Sequence, residues 1–144
     1  MTSLFADTSA LIKWYIAETH SEKVDSLFVT QSEVAISRLT GVEFCSALGR
    51  RRRNKQISRK LEKDTLELFY SHQLSGHLRV LPLNDTHCAE AEHLMHTLPK
   101  IPLRALDAMQ LAAAKLANMA EFASADKIQI SAAKAIGLKI HDFS

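Results

Sequence analysis

Four acidic side chains stand in stretches that are otherwise apolar or small. They are Asp7 in Phe5-Ala6-Asp7-Thr8-Ser9, Glu43 in Thr40-Gly41-Val42-Glu43-Phe44, Asp107 in Leu106-Asp107-Ala108-Met109, and Asp126 after Ser124-Ala125. Carboxylates drawn together repel, and burial sharpens the repulsion. A hard divalent cation relieves it, and an all-oxygen set suits Mg²⁺ or Mn²⁺ better than Zn²⁺. An ion so held can polarise a phosphodiester, acidify a bound water and steady a leaving oxygen. The residues are compatible with one ion or two. Taken singly, each acid also reads as a helix cap or a partner of the helix dipole. The joint pattern says more than any one of them.

Elements must bring these acids together. Residues 3–6 form a short apolar segment that reads as a strand, and Thr8-Ser9 offers a cap for a helix through Tyr15. Val24, Leu27 and Phe28 recur at helical spacing within 18–30. Residues 34–36 read as a strand. A polar cap at Ser37 or Thr40 then leads into a helix over 42–53, with Phe44, Ala47 and Leu48 inward and Glu43 in the first turn. Residues 58–75 read as a helix with Leu61, Leu66, Leu68 and Phe69 inward, 78–81 as a strand closed by Pro82, and 85–98 as a helix. After a loop marked by Pro99 and Pro102, 106–120 is a strongly apolar helix opened by Asp107. A strand at 121–124, a helix over 127–136 stopped by Gly137, and a strand at 138–140 complete the chain.

Short apolar strands alternating with helices imply βαβ crossovers and a mainly parallel sheet covered on both faces. In such sheets, sites form outside the carboxyl ends of the strands, and Asp7 and Asp126 both follow strands on that side.

The chain has 144 residues, read as one domain over 1–144, of which 47% are hydrophobic and 24% charged. Eighteen Lys and Arg against sixteen Asp and Glu give +2, so net charge names no partner. The two cysteines, Cys45 and Cys88, form no CxxC and read as core or half-buried thiols. With four glycines there is neither a dinucleotide-binding nor a P-loop fingerprint. No apolar run is long enough for a membrane span, and residues 1–7 do not read as a signal peptide. A reduced, cytoplasmic protein is expected.

The sequence resembles PIN domains, and within them VapC-type toxins of toxin–antitoxin pairs. Asp7-Thr8-Ser9-Ala10-Leu11-Ile12-Lys13 resembles the opening motif, Leu39-Thr40-Gly41-Val42-Glu43 with Ser46-Ala47-Leu48 the second, Leu103 through Ala112 the third, and Phe122-Ala123-Ser124-Ala125-Asp126 the fourth. Ser124 stands where the family usually has Thr, and Gly41 where a larger residue is usual. The resemblance runs from Leu4 to Ile140. It implies a PIN-like three-layer α/β/α sandwich and a Mg²⁺- or Mn²⁺-dependent endoribonuclease. It places the metal on Asp7 and Asp107, with Glu43 and Asp126 completing the cluster and Thr8, Ser9 and Ser124 supporting by hydrogen bonds. Glu43 or Asp126 would orient or deprotonate the attacking water. It further implies a homodimer and a cognate antitoxin whose tail covers the acidic site. A different class, a non-catalytic RNA-binding or protein-interaction module on the same fold, is separated from this by metal-dependent cleavage. An Asp-nucleophile phosphotransferase would need a second Asp where Ser9 stands.

Arg50, Arg51, Arg52 and Arg53, with Lys55, Arg59, Lys60 and Lys63, form the concentrated positive region. Four consecutive arginines wrap around a helix and make no one flat face; they read as RNA-phosphate contacts, as a solvated helix end, or as contacts to acidic groups of a partner. His93 and His96 could share a helix face but read as surface histidines without a matching ligand pair. Trp14, Tyr15, Ile16 and Phe28 read as core or subunit interface.

Overall fold

The computed structural model describes residues 3–144; Met1 and Thr2, on which the signal-peptide reading partly falls, lie outside the described residues. In chain order the elements are β1 (Leu4–Ala6), α1 (Thr8–Tyr15), α2 (Ser21–Phe28), β2 (Val34–Ser37), α3 (Arg38–Arg53), α4 (Arg59–Leu74), β3 (Leu78–Leu81), α5 (Asp85–Thr97), α6 (Ala105–Leu116), β4 (Glu121–Ser124), α7 (Lys127–Ala135) and β5 (Lys139–Asp142). The strands form one sheet in the order β3-β2-β1-β4-β5, and every pairing is parallel.

Strand periodicity divides the core into two. On β1, Leu4 and Ala6 face one side and Phe5 the other; on β2, Val34 and Ile36 oppose Ala35. One cluster packs β1 and β2 against α1–α4 through Leu11, Val24, Phe28, Phe44, Leu48 and Phe69. The other packs Phe5 and Phe122, stacked with centroids 5.4 Å apart, against α5–α7. The result is a three-layer α/β/α sandwich. Trp14 and Tyr15 belong to the first cluster: Trp14 stacks on His72 at 4.7 Å, and Tyr15 Oη lies 2.6 Å from His72 Nδ1.

The chain leaves β1 toward β2 on one side and later returns to β4 on the other. A crevice therefore opens at the carboxyl end of β1, the switch point of such a sheet.

Several boundaries differ from the sequence reading, each for a local reason. The cap of α1 is the Asp7 side chain rather than Thr8 or Ser9. Helix α2 starts at Ser21, because His20 is left-handed with φ 71°. Helix α3 starts at Arg38, capped by Ser37 Oγ accepting from Leu39 N, so Glu43 sits in its second turn and not its first. Helix α6 stops at Leu116, where Asn118 takes a left-handed φ of 55°. Strand β5 runs on to Asp142, since His141 and Asp142 pair with Ala123 and Ser124. Leu61 and Leu68 face outward on α4, and Cys45 and Cys88 are exposed free thiols. Gly137, at φ 91° just past α7, is the stop the sequence suggested.

The Phe5–Phe122 stack joins the central strand to its neighbour beneath the crevice. Phe5→Ala should cost about 3–5 kcal/mol of unfolding free energy. A urea titration measures this as a lowered midpoint with an unchanged slope.

Candidate active site

Asp7 follows β1 directly, and its N–H continues the ladder by donating to Ala123 O at 3.1 Å. Its carboxylate accepts from Ala10 N at 3.1 Å and from the hydroxyls of Ser9 and Ser124, both at 2.6 Å. Those serines are themselves pinned by the β4–α7 turn: Ala125 N donates to Ser9 Oγ at 2.8 Å and Asp126 N to Ser124 Oγ at 3.0 Å. Asp7 is only 4% exposed. Burial pushes its carboxyl up to about 6 against the pull of these hydrogen bonds, with a further push from the Asp126 charge.

Glu43 comes from α3. Its Oε1 accepts from Thr8 Oγ1 at 2.8 Å and from Gln110 Nε2 at 2.6 Å. Gln110 Nε2 also reaches Thr40 Oγ1 at 2.9 Å, so one buried amide ties α6 to α3 and to the start of α1. Asp107 lies in the first turn of α6 and Asp126 caps α7, its Oδ1 accepting from Ile128 N and Gln129 N. Gln129 Nε2 donates to Asp107 O at 3.1 Å and so links those two helix starts. Arg104 spans the two acids, with Nε 3.4 Å from Asp107 Oδ2 and Nη2 3.7 Å from Asp126 Oδ2.

All four acids, with Thr8, Ser9, Arg50, Arg104, Gln110 and Gln129, line one cleft of ≈ 280 Å³. Ser124 lies behind it, under Asp7. The arginine run is split by the helix. Arg50 faces the cleft and an adjoining groove walled by Lys13, Glu18 and Arg51. Arg51 is tied to Glu18 at 3.3 Å, whereas Arg52 turns to α4, where it meets Glu62 at 2.6 Å. Arg53 is exposed at the end of α3. His93 and His96 are exposed on α5, away from the cleft lining.

Sequence reasoning does not single out Thr40, Arg104, Gln110 or Gln129 as parts of the site. Gln110 has a legible signal: it is the one amide in an apolar run from Ala108 to Ala114, and it is 3% exposed. The others become visible only when the elements are assembled.

The donor set is chemically suited to a hard cation: four carboxylates and hydroxyl oxygens, with no sulfur or imidazole in the lining among the described residues. Among the described residues, the buried acceptors Gln110 Oε1 and Gln129 Oε1 meet no protein donor, and both residues line the cleft. The waters of a hydrated ion would supply donors of the kind they lack. Among the described residues, however, no three His, Cys, Asp or Glu side chains are gathered into a ready metal-binding set. Each acid is engaged by its own neighbours instead.

The raised Asp7 value has a consequence for the metal-free protein. The unfolded chain releases this proton near 3.8 and the folded chain near 6. Stability is therefore lost as pH rises across that window, and the full penalty persists above it. In EDTA at pH 8, Asp7→Asn should be more stable than wild type by about 1–3 kcal/mol, with the gain shrinking toward pH 4. Paired melting curves across that pH range measure this.

Comparison with known proteins places the fold. The PIN domain family matches residues 4–135. A toxin of Mycobacterium tuberculosis, VapC20, described as cleaving the sarcin–ricin loop, superposes with a TM-score of 0.72 at 15% identity, covering 94% of this chain and 95% of that one. FitAcB of Neisseria gonorrhoeae gives 0.70 at 16%, covering 95% of each. DNA-bound VapBC of Salmonella typhimurium gives 0.66 at 15%, covering 100% of each. No curated protein matches the chain in sequence. The match along nearly the whole chain, on the α/β/α sandwich just described, makes this protein a member of the PIN domain family.

Proposed function

We propose that the chain is a metal-dependent endoribonuclease, acting as one domain over 1–144, and the toxin of a VapBC-type pair. The observation that carries this is the convergence of Asp7, Glu43, Asp107 and Asp126, from four separate chain segments, on one cleft at the sheet's switch point. Asp7 and Asp107 would hold Mg²⁺ or Mn²⁺, with Glu43 and Asp126 completing the set. A bound ion would supply Lewis-acid polarisation of the phosphodiester and acidification of water.

The chain's own groups do the rest. Ser9 and Ser124 hold the Asp7 carboxylate in one orientation. Glu43 Oε1 is fixed by Thr8 and Gln110, which leaves Oε2 to accept the proton of the attacking water. Lys13, Arg50 and Arg51 line a groove that runs into the cleft, a path for RNA phosphates. Water attack of this kind yields a 5′-phosphate and a 3′-hydroxyl and needs no ribose 2′-hydroxyl.

The toxin role is supported by VapBC and FitAB complexes among proteins of the same fold. On this reading a cognate antitoxin covers the cleft, the protein forms a homodimer, and both act in the cytoplasm. Among the described residues no helix is long and apolar enough to cross a membrane.

Purified, antitoxin-free protein incubated with total RNA should give discrete fragments with Mg²⁺ or Mn²⁺ and none with EDTA. Asp7→Asn should abolish them, and Glu43→Gln should lower kcat by about 10²–10⁴. Fragments ending in 2′,3′-cyclic phosphate, or cleavage undiminished in EDTA, would sink the mechanism. For binding, Arg50→Ala with Arg51→Ala should make log affinity fall less steeply with log salt, by about 0.7 for each RNA phosphate no longer neutralised. Arg52→Ala with Arg53→Ala should leave the slope nearly unchanged.

A further inference from the structure

The Asp107–Asp126 side of the cleft already carries a cation of the chain's own. Arg104 occupies the N-cap position of α6 but makes no side-chain cap. Among the described residues its guanidinium pairs only with Asp107, by a hydrogen bond of 3.4 Å, and with Asp126, by an ionic contact of 3.7 Å. Among the described residues no other hydrogen bond or ion pair engages the oxygens it touches. Asp126 Oδ1 is committed to capping α7, and Arg104 meets Oδ2. On Asp107, too, it meets Oδ2. These are the atoms an incoming ion would also seek.

The grip is weak. The Arg104 side chain is 76% exposed, and neither contact has the short paired geometry of a guanidinium fork on one carboxylate. Its effect is nonetheless specific. It offsets repulsion between two acids that the fold holds at neighbouring helix starts, linked by Gln129. A divalent ion offers both carboxylates a higher charge than the guanidinium does. The two cations cannot share the same oxygens without repelling each other.

We propose that Arg104 is a displaceable counter-charge: it competes with the divalent cation for Asp107 and Asp126, so that ion entry and release of the guanidinium are one linked event. This rests on the proposed metal-dependent reading and adds an element of regulation to it. Linkage makes the competition reciprocal, so removing the guanidinium must favour the ion.

The test is Mn²⁺ binding by the full-length protein without RNA, followed by the electron paramagnetic resonance signal of free Mn²⁺. Arg104→Ala should bind Mn²⁺ about two- to fivefold more tightly than wild type at low salt, the range expected for an exposed ion pair. Arg104→Gln, which keeps the side-chain bulk, should show the same gain. The gap should narrow toward about 1 M salt, where screening weakens the latch. Mn²⁺ affinity that is equal or weaker in both variants overturns the latch alone and leaves the nuclease reading standing. No Mn²⁺ binding by any of the three proteins overturns the metal-dependent reading and the latch with it.

Discussion

A carboxylate at the end of the central strand, Asp7, is held almost wholly out of water with no cationic side chain paired to it among the described residues. The features around it answer that constraint. Two serine hydroxyls and one backbone N–H are committed to it, yet burial still outweighs them and lifts its proton affinity. A fold does not place such a group at the junction of two βα units for stability. An unpaired buried charge is among the costlier features a core can carry, and its natural relief is a bound cation.

The surrounding architecture serves that position. The sheet's order puts β1 between β2 and β4, so the segments that follow those strands flank Asp7 from both sides. Its α3 side is organised by Gln110, which joins Glu43 to Thr8 and Thr40. Its α7 side is organised by Gln129 and Arg104, which join Asp107 to Asp126. The two sides are joined by the Asp7–Ser9–Ser124 knot and by helix α6, which carries both Gln110 and Asp107. The four acids thus line one space while each keeps its own hydrogen-bond or ion-pair neighbours, and among the described residues no three of them are gathered into one metal-binding set.

The layers and the alternation of strands with helices are legible in the sequence because short apolar runs alternate with amphipathic helices, and because a parallel sheet buries both faces of its strands. The acids stand out because each interrupts an apolar stretch. Boundaries are less legible where a single backbone conformation decides them, as at His20 and Asn118. Glu43 reads one turn too early from sequence because Ser37 and Thr40 are both good caps; in the structure Ser37 Oγ accepts from Leu39 N and opens α3, while Thr40 Oγ1 accepts from Gln110 instead. Four consecutive arginines must circle a helix, so the sequence already denies them one flat face, and the structure adds that Arg50 lines the cleft while Arg52 pairs with Glu62. Arg104 has no signal in sequence, since its importance lies in reaching two acids that are 19 positions apart along the chain, Asp107 and Asp126.

The central claim is that the cleft around Asp7 is a divalent-cation site. Anomalous X-ray diffraction from crystals equilibrated with Mn²⁺ tests it most directly. A Mn²⁺ peak within the space bounded by Asp7, Glu43, Asp107 and Asp126 is the expected result. An empty cleft at saturating Mn²⁺ would contradict the account.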